Sequence, residues 1–454
     1  MRDGQYASRM SGDIAPPEPE TRPSLVSSAV FTYFTQLGVA VLSLLNVLIV
    51  ARALGATGRG DVTFLTAVAY LTSQFACFGV QMANANIAAS RPSSRPSLAT
   101  NSLIFSVIFG TFAAAVVALL IHVVPDIGGD QSRVLLVLAL GVMPLLMLGQ
   151  FLLLIIQAEY RWRIANAAWL IPPVVNVALN GTFDAANALT PGRAFSTWVL
   201  GQTIAVVVLI VGVARRSGFG KPDVGLGRET AKFGIQAHFG RVMLLGNYRV
   251  DQWILGAISE TRQLGVYSVA VSWAEVLFFV PTVLSMVQRP DLARADKRTA
   301  ADGASTGFRA AVLITIPLAL FLIIFAPFLC VTLLGSDFKQ SVPEMRILTL
   351  GAFGIVALKL LGSTLTAQRR PNLETAAIGG AFVMTIVLDL LLIPAHGGMG
   401  ASVASTIAYS TGGIAVAIIF SRALKVPIRS LLPRRGDPKW VVTTLLRRWR
   451  PEGA

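Results

Sequence analysis

The residues of this 454-residue chain that could do chemistry are charged groups set deep in apolar sequence. The stretch 231–257 holds His238, Arg241, Arg249 and Asp251; the stretch 264–288 holds Glu275; later stretches hold Lys359 and Asp389. An ionised side chain at the centre of a bilayer costs on the order of 3 kcal/mol or more, so such residues mark functional sites by default. At 1.5 Å per residue, Arg241 and Arg249 fall about 6 Å to either side of the middle of their stretch, and Lys359 lies at a similar depth in its own. Three cations there repel one another unless carboxylates, water or an anionic ligand stand among them. Only Glu275 is comparably deep. The functional reading is a water-filled cavity, lined by Arg241, Lys359 and Arg249, that accepts an anion; phosphate or pyrophosphate suits the paired donors of arginine. The structural reading is ion pairing between helices, Arg249 with Asp251 or Glu275. Glu275 and Asp251 are the candidates for coupling transport to an ion, through protonation.

Uncharged polar groups form a second set. Gln36, Asn46, Gln74, Gln81, Asn84 and Asn86 lie in the first two apolar stretches. They suit sugar hydroxyls, and equally hydrogen bonds between helices. No enzyme signature accompanies either set: there is no phosphate-binding GxxxxGK[ST] loop, no HExxH and no paired-cysteine metal motif. The expectation is a non-enzyme without cofactor or metal. Cys77 and Cys330 both sit in apolar runs and read as buried thiols.

The elements that must position these residues are membrane helices. From about residue 25 to 423 the chain reads as twelve apolar stretches, most long enough to cross a hydrocarbon core of about 30 Å. The expected spans are 26–50, 61–88, 100–124, 132–157, 164–185, 194–214, 231–257, 264–288, 308–334, 342–367, 373–394 and 399–423. The fifth, with Pro172-Pro173 inside it, should bend. Charged residues make up 13% of the chain and mean hydropathy is +0.66, both far from a soluble domain. The net charge of +15 does not point to nucleic acid, because Lys and Arg gather in connectors and in the C-terminal segment. Alternate connectors carry 16 and 7 basic residues, and nine more follow from Arg422 onward. By the positive-inside rule both termini and the basic connectors face the cytoplasm, against an anionic inner leaflet.

The expected organisation is a polar cytoplasmic tail over 1–25, a six-helix bundle over 26–214, a basic linker over 215–230, a second six-helix bundle over 231–424, and a basic tail over 425–454. Residues 1–24 do not read as a signal peptide. In the tail, Val441, Val442, Leu445, Leu446 and Trp449 would share one arc of a helix lying on the inner leaflet. The halves look duplicated. Leu54-Gly55-Ala56 returns 201 residues later as Leu255-Gly256-Ala257, and the segment after the fourth span, near Arg161, returns 209 residues later near Arg370. Six spans per half keep the same orientation, so the fold class is all-α, with two six-helix bundles related by a pseudo-two-fold axis along the membrane normal.

The chain resembles the prokaryotic polysaccharide flippases, the Wzx-type lipid-linked oligosaccharide transporters of the multidrug/oligosaccharidyl-lipid/polysaccharide exporter superfamily. The residues that carry the resemblance are Ala51-Arg52-Ala53-Leu54-Gly55 with Gly60, Val250-Asp251-Gln252-Trp253-Ile254-Leu255-Gly256, Leu264-Gly265-Val266-Tyr267-Ser268-Val269-Ala270, and the GMGASVAS run from Gly398 to Ser405. The resemblance implies a V of two bundles with a central cavity in the plasma membrane. It implies alternating access that carries a polyprenyl-pyrophosphate-linked glycan from the inner to the outer leaflet for cell-surface polysaccharide synthesis. Glycosyltransferases or a polymerase of the same pathway would be its partners. Two other functions fit the same spans: a multidrug or metabolite antiporter of that superfamily, and a non-transporting scaffold in a cell-surface assembly complex.

Overall fold

The structure, a computed structural model, describes residues 25–123 and 132–434. The side chain of Arg241 lies outside the described residues, as do the expectations for the N-terminal tail and for the amphipathic arc around Val441 to Trp449. The described residues are helical throughout, with no strand. They form twelve spans: α1 (25–54), α2 (56–90), α3 (Arg95–Val123), α4 (Arg133–Ala158), α5 (Trp162–Ala185), α6 (Pro191–Ala214), α7 (Val224–Ile258), α8 (261–294), α9 (Lys297–Thr332), α10 (Ser341–Ala367), α11 (371–396) and α12 (398–424).

Eight helical segments are long and apolar enough to cross a membrane by length and composition, and two of these are pairs of spans that meet at a sharp kink. The kinks fall at Gly55 (φ 66°) and Gly397 (φ 54°), backbone that glycine adopts without strain. The two remaining spans, α5 and α7, fall short because polar residues interrupt them. These are Asn166, Asn176 and Asn180 in α5, and Arg249 and Asp251 among others in α7. Polar groups inside a span belong where protein or water satisfies them, and Asn166, Asn176, Asn180 and Asp251 are all buried.

Two local features differ from expectation, and a third concerns the prolines. The second span is one unbroken stretch in the sequence, but α2 breaks over Cys77–Gly79, where Phe78 (φ 44°) and Gly79 (φ 71°) are both left-handed. The corner between α1 and α2 is a single glycine rather than the connector expected over 51–60, which makes Arg59 part of α2. Pro172-Pro173 do not interrupt α5, which runs on as one helix with α6 packed against them: a Cβ on Gly201 would stand 2.9 Å from the Cα of Pro172.

The internal duplication extends to single residues. Tyr160 and Arg369, 209 positions apart, close α4 and α10 in the same left-handed conformation (φ 58° and 61°). The arginine after each does the same work. Arg161 donates to the carbonyl of Gly212 at the end of α6 (2.5 Å), and Arg370 to that of Ala423 at the end of α12 (3.0 Å). Each arginine supplies donors to carbonyls that lack a partner in a helix's last turn. The segment 215–223 between the halves lies on the start of α3, where Thr100 donates to the carbonyl of Gly220 (2.7 Å) and Asn101 to that of Asp223 (2.8 Å).

The halves touch at two levels. At the α1–α2 corner, a Cβ on Gly60 would stand 1.8 Å from the carbonyl oxygen of Thr261, and one on Gly265 the same distance from that of Ala56. Toward the other end, Gly79 in the break of α2 meets Gly234 of α7, where a Cβ would stand 2.1 Å from the Gly234 carbonyl. His238 adds a ring-nitrogen contact to the Phe75 carbonyl there (2.8 Å). An apolar cluster including Val47, Ala51, Phe64, Leu255, Leu264 and Tyr267 crosses the seam beside the corner contact.

Candidate functional site

Arg249 of α7 and Glu275 of α8 form a two-pronged ion pair. Nη1 stands 2.7 Å from Oε1 and Nη2 donates to Oε2 at 2.9 Å, with the side chains 32% and 28% exposed. Of the sequence readings for Arg249, the pairing is therefore with Glu275. Asp251, two residues on, points elsewhere: it is buried and accepts from the Tyr267 hydroxyl, from Ser405 Oγ (3.1 Å) and from the Gln252 backbone N–H (2.7 Å). Asp389 of α11 is fully buried within electrostatic reach of Asp251, and neither of its oxygens has a hydrogen-bond partner among the described residues. A cavity between α7, α8, α10 and α12 is lined by Asp251, Glu275, Tyr267, Tyr409 and Phe278.

Lys359 of α10 is held by neutral groups. Its Nζ donates to Thr282 Oγ1 (2.7 Å) and lies 5.6 Å and 5.8 Å from the ring centres of Tyr248 and Phe278. Ring faces carry partial negative charge and lower the cost of keeping an ammonium half-buried without a carboxylate against it. Glu275 is within its electrostatic reach.

Sequence reasoning misses Arg59, which the expected spans leave in the connector over 51–60. With the corner at Gly55, Arg59 lies in the first turn of α2, half-buried, and its Nε donates to Ser268 Oγ of α8 across the seam (3.2 Å). It lies within electrostatic reach of Arg249. The site thus takes one guanidinium from each half. The signal was present: two glycines, Gly55 and Gly60, five residues apart, with an arginine between them.

The proposed sugar contacts are dispersed. Asn84 spends its amide hydrogens inside the first bundle, on Ser102 Oγ (2.8 Å) and the Phe151 carbonyl (3.3 Å). Gln81 donates to Cys77 Sγ (3.0 Å), and Gln74 is buried on the same face of α2. Asn46 accepts from Asn180 (2.8 Å), which itself accepts from Thr197 (2.7 Å). The hydrogen bonds of Asn84 and Asn46 thus lie inside the first bundle. Gln36 and Asn46 are half-buried, and Asn86 is exposed. Asn180 stands 209 residues before Asp389, and Thr197 stands 208 before Ser405. The same level of the fold is therefore neutral and closed by hydrogen bonds in the first half, and acidic in the second.

This architecture is shared with solved membrane transporters. The chain superimposes on the lipid II flippase MurJ in an inward closed conformation (TM-score 0.71, 14% identity, 93% of this chain and 94% of that chain). It superimposes on a multidrug-resistance MATE transporter of the MOP superfamily in an inward-facing conformation (TM-score 0.64, 14% identity, 87% and 98%). A third match is a MOP-superfamily transporter from Pyrococcus furiosus whose binding pocket is described as reversed in polarity (TM-score 0.56, 12% identity, 88% and 95%). At these identities the likeness establishes the fold alone: a multi-pass membrane protein built as two six-helix bundles, the architecture of those transporters. A comparison with curated protein sequences finds no match. The family model described as "Polysaccharide biosynthesis protein" matches residues 49–343, more than half of the chain, and the chain belongs to that family. The resemblance to the polysaccharide flippases is borne out.

Proposed function

We propose that this protein flips a polyprenyl-pyrophosphate-linked oligosaccharide from the inner to the outer leaflet of the plasma membrane, with both termini cytoplasmic. The observation that supports it is an excess of positive charge: Arg59 of the first half and Arg249 of the second at the seam, Lys359 beside them in the second half, and Glu275 the one carboxylate ion-paired to any of them among the described residues. A glycan headgroup cannot cross hydrocarbon without replacements for its water, and a polar seam between two movable halves provides them while the lipid tail stays in the bilayer. Arginine forks match the geometry of phosphate oxygens. The family points to the same class of substrate. Export of a cationic drug would place its charge against Arg59 and Arg249.

Asp251 and Asp389 are the groups this reading assigns to ion coupling. They are two buried carboxyls within reach of each other, one of them without a donor among the described residues, and taking up a proton or a monovalent cation relieves both. Glu275, engaged by Arg249, is the lesser candidate of the original pair with Asp251.

The test is export in cells that depend on this chain for surface glycan. Arg59→Ala, Arg249→Ala and Lys359→Ala should each abolish surface glycan with the protein still at normal level in the membrane. Arg241→Ala belongs in the same series. Normal export by all of them would refute the seam as the substrate site, and would favour the scaffold reading.

A further inference from the structure

We propose that Glu275 is an internal stand-in for the substrate's anionic headgroup: it occupies the Arg249 fork in the empty transporter and is displaced from it when substrate binds. The inference rests on the flippase reading above and specifies how its site is kept ready.

The geometry of the pair carries the argument. Two oxygens on one carbon meet two nitrogens on one guanidinium at 2.7 and 2.9 Å, the arrangement a phosphate group makes with arginine. About a third of each side chain is exposed, so the pair can be reached from the seam. The neighbouring Asp251 is a carboxylate enclosed in the same bundle: buried, with three donors, none of them charged. Glu275 has the opposite character. It also begins the four-residue 3-10 turn Glu275–Phe278 that interrupts α8, backbone with poorer hydrogen bonds than the helix on either side.

A displaced Glu275 has a defined destination. The charged and titratable groups around it are Arg249 and Tyr248 on α7, Lys359 on α10, Tyr409 on α12, and Asp251 with Tyr267 across the shared cavity. Asp251 repels it and the tyrosines are neutral, so among the described residues Lys359, within electrostatic reach of Glu275 and held by no carboxylate, is the cation it turns to. Substrate binding therefore exchanges Arg249–Glu275 for Arg249–pyrophosphate and Glu275–Lys359. Arg249 keeps an anion throughout, Lys359 gains one in place of its neutral partners, and α8 is drawn toward α10. An empty transporter never presents a bare arginine fork to lipid phosphates in the surrounding leaflet.

Binding of farnesyl pyrophosphate to the purified full-length protein, followed by calorimetry, tests the exchange. Glu275→Gln removes the competitor and should bind about three- to fivefold more tightly, the range expected for losing one partly exposed ion pair. The same variant should export less glycan in cells, because Lys359 receives no partner. Arg249→Ala should lose binding with or without Glu275→Gln. Glu275→Asp, which shortens the fork by one methylene, should bind between wild type and Glu275→Gln and covers the case where the glutamine variant fails to insert. Equal or weaker binding by the glutamate variants overturns the stand-in while leaving the substrate reading intact. A wild-type protein that binds no prenyl pyrophosphate overturns the substrate reading, and the exchange with it.

Discussion

At the scale of residues, the second bundle contains two kinds of buried charge, and they should respond differently to substitution. Asp251 is enclosed and depends on neutral donors, so removing one leaves a buried carboxyl short of a partner, a loss of about 1–3 kcal/mol. Tyr267→Phe should therefore lower the melting temperature by several degrees in a detergent thermal-shift measurement. Arg249 is half-exposed, and an exposed ion pair contributes at most about 1 kcal/mol. Arg249→Ala should leave the melting temperature within a degree or two and still abolish transport. If Tyr267→Phe melts like wild type while Arg249→Ala is grossly destabilised, the contrast between an enclosed Asp251 and a solvent-reached Arg249 is refuted. Sequence position alone placed Arg249, Asp251, Glu275 and Lys359 in the membrane and left open whether Arg249 pairs with Asp251 or Glu275. Arg249 and Asp251, two residues apart on one helix, point about 200° apart, so the choice depends on which helix faces each side chain.

At the scale of elements, the two glycine contacts between halves are candidates for the two closures that alternating access requires. Both positions to be changed are helical and tolerate a side chain in backbone terms; what forbids it is the facing carbonyl. Gly60→Val would meet Thr261 at the corner, and Gly234→Val would meet the Phe78 carbonyl, where even a Cβ stands at 2.7 Å. Each variant should insert normally, export no glycan and hold one closure open. With Cys77 and Cys330 replaced and a single cysteine put in place of half-exposed Tyr70, a membrane-impermeant thiol reagent should label the two variants from opposite faces. Labelling from the same face would show that the contacts are packing only. The apolar pattern made the helices themselves legible, and the expected spans overlap all twelve observed ones. The break at Phe78–Gly79 was not legible, because it answers to Gly234, far away in the chain, and not to local propensity.

At the scale of the whole molecule, the twelve spans place the α6–α7 segment and the α9–α10 segment on opposite faces. Reporter fusions at Arg228 and Asp337 should report opposite sides of the membrane, with Arg228 inside as the 16 to 7 imbalance of basic residues requires. Two reporters on one side would refute the topology. The halves also differ in a way that bears on coupling. Asn46, Asn180 and Thr197 close a neutral network in the first half at the level where the second carries Asp251, Asp389 and Ser405. If coupling resides in the second half alone, Asp389→Asn should abolish the dependence of transport on the ion gradient, and Asn180→Ala should not.

The sequence by itself determined that this is a twelve-span, duplicated membrane protein with buried cations in its second half. Apolar length, the placement of Lys and Arg, and recurrence at a fixed offset are all properties of chain order, and the bilayer imposes the rest by admitting only helices whose backbone groups are satisfied internally. Only the tertiary structure decided what those cations do. Arg59 is brought from a corner of the first half to within reach of Arg249, Glu275 rather than Asp251 fills the arginine fork, and Lys359 rests against two aromatic rings. The physical reason is that an ion pair or a gate is a relation across a seam between helices as many as about 200 residues apart, set by which faces the bundles turn to one another. No periodicity within one helix encodes which partner stands opposite.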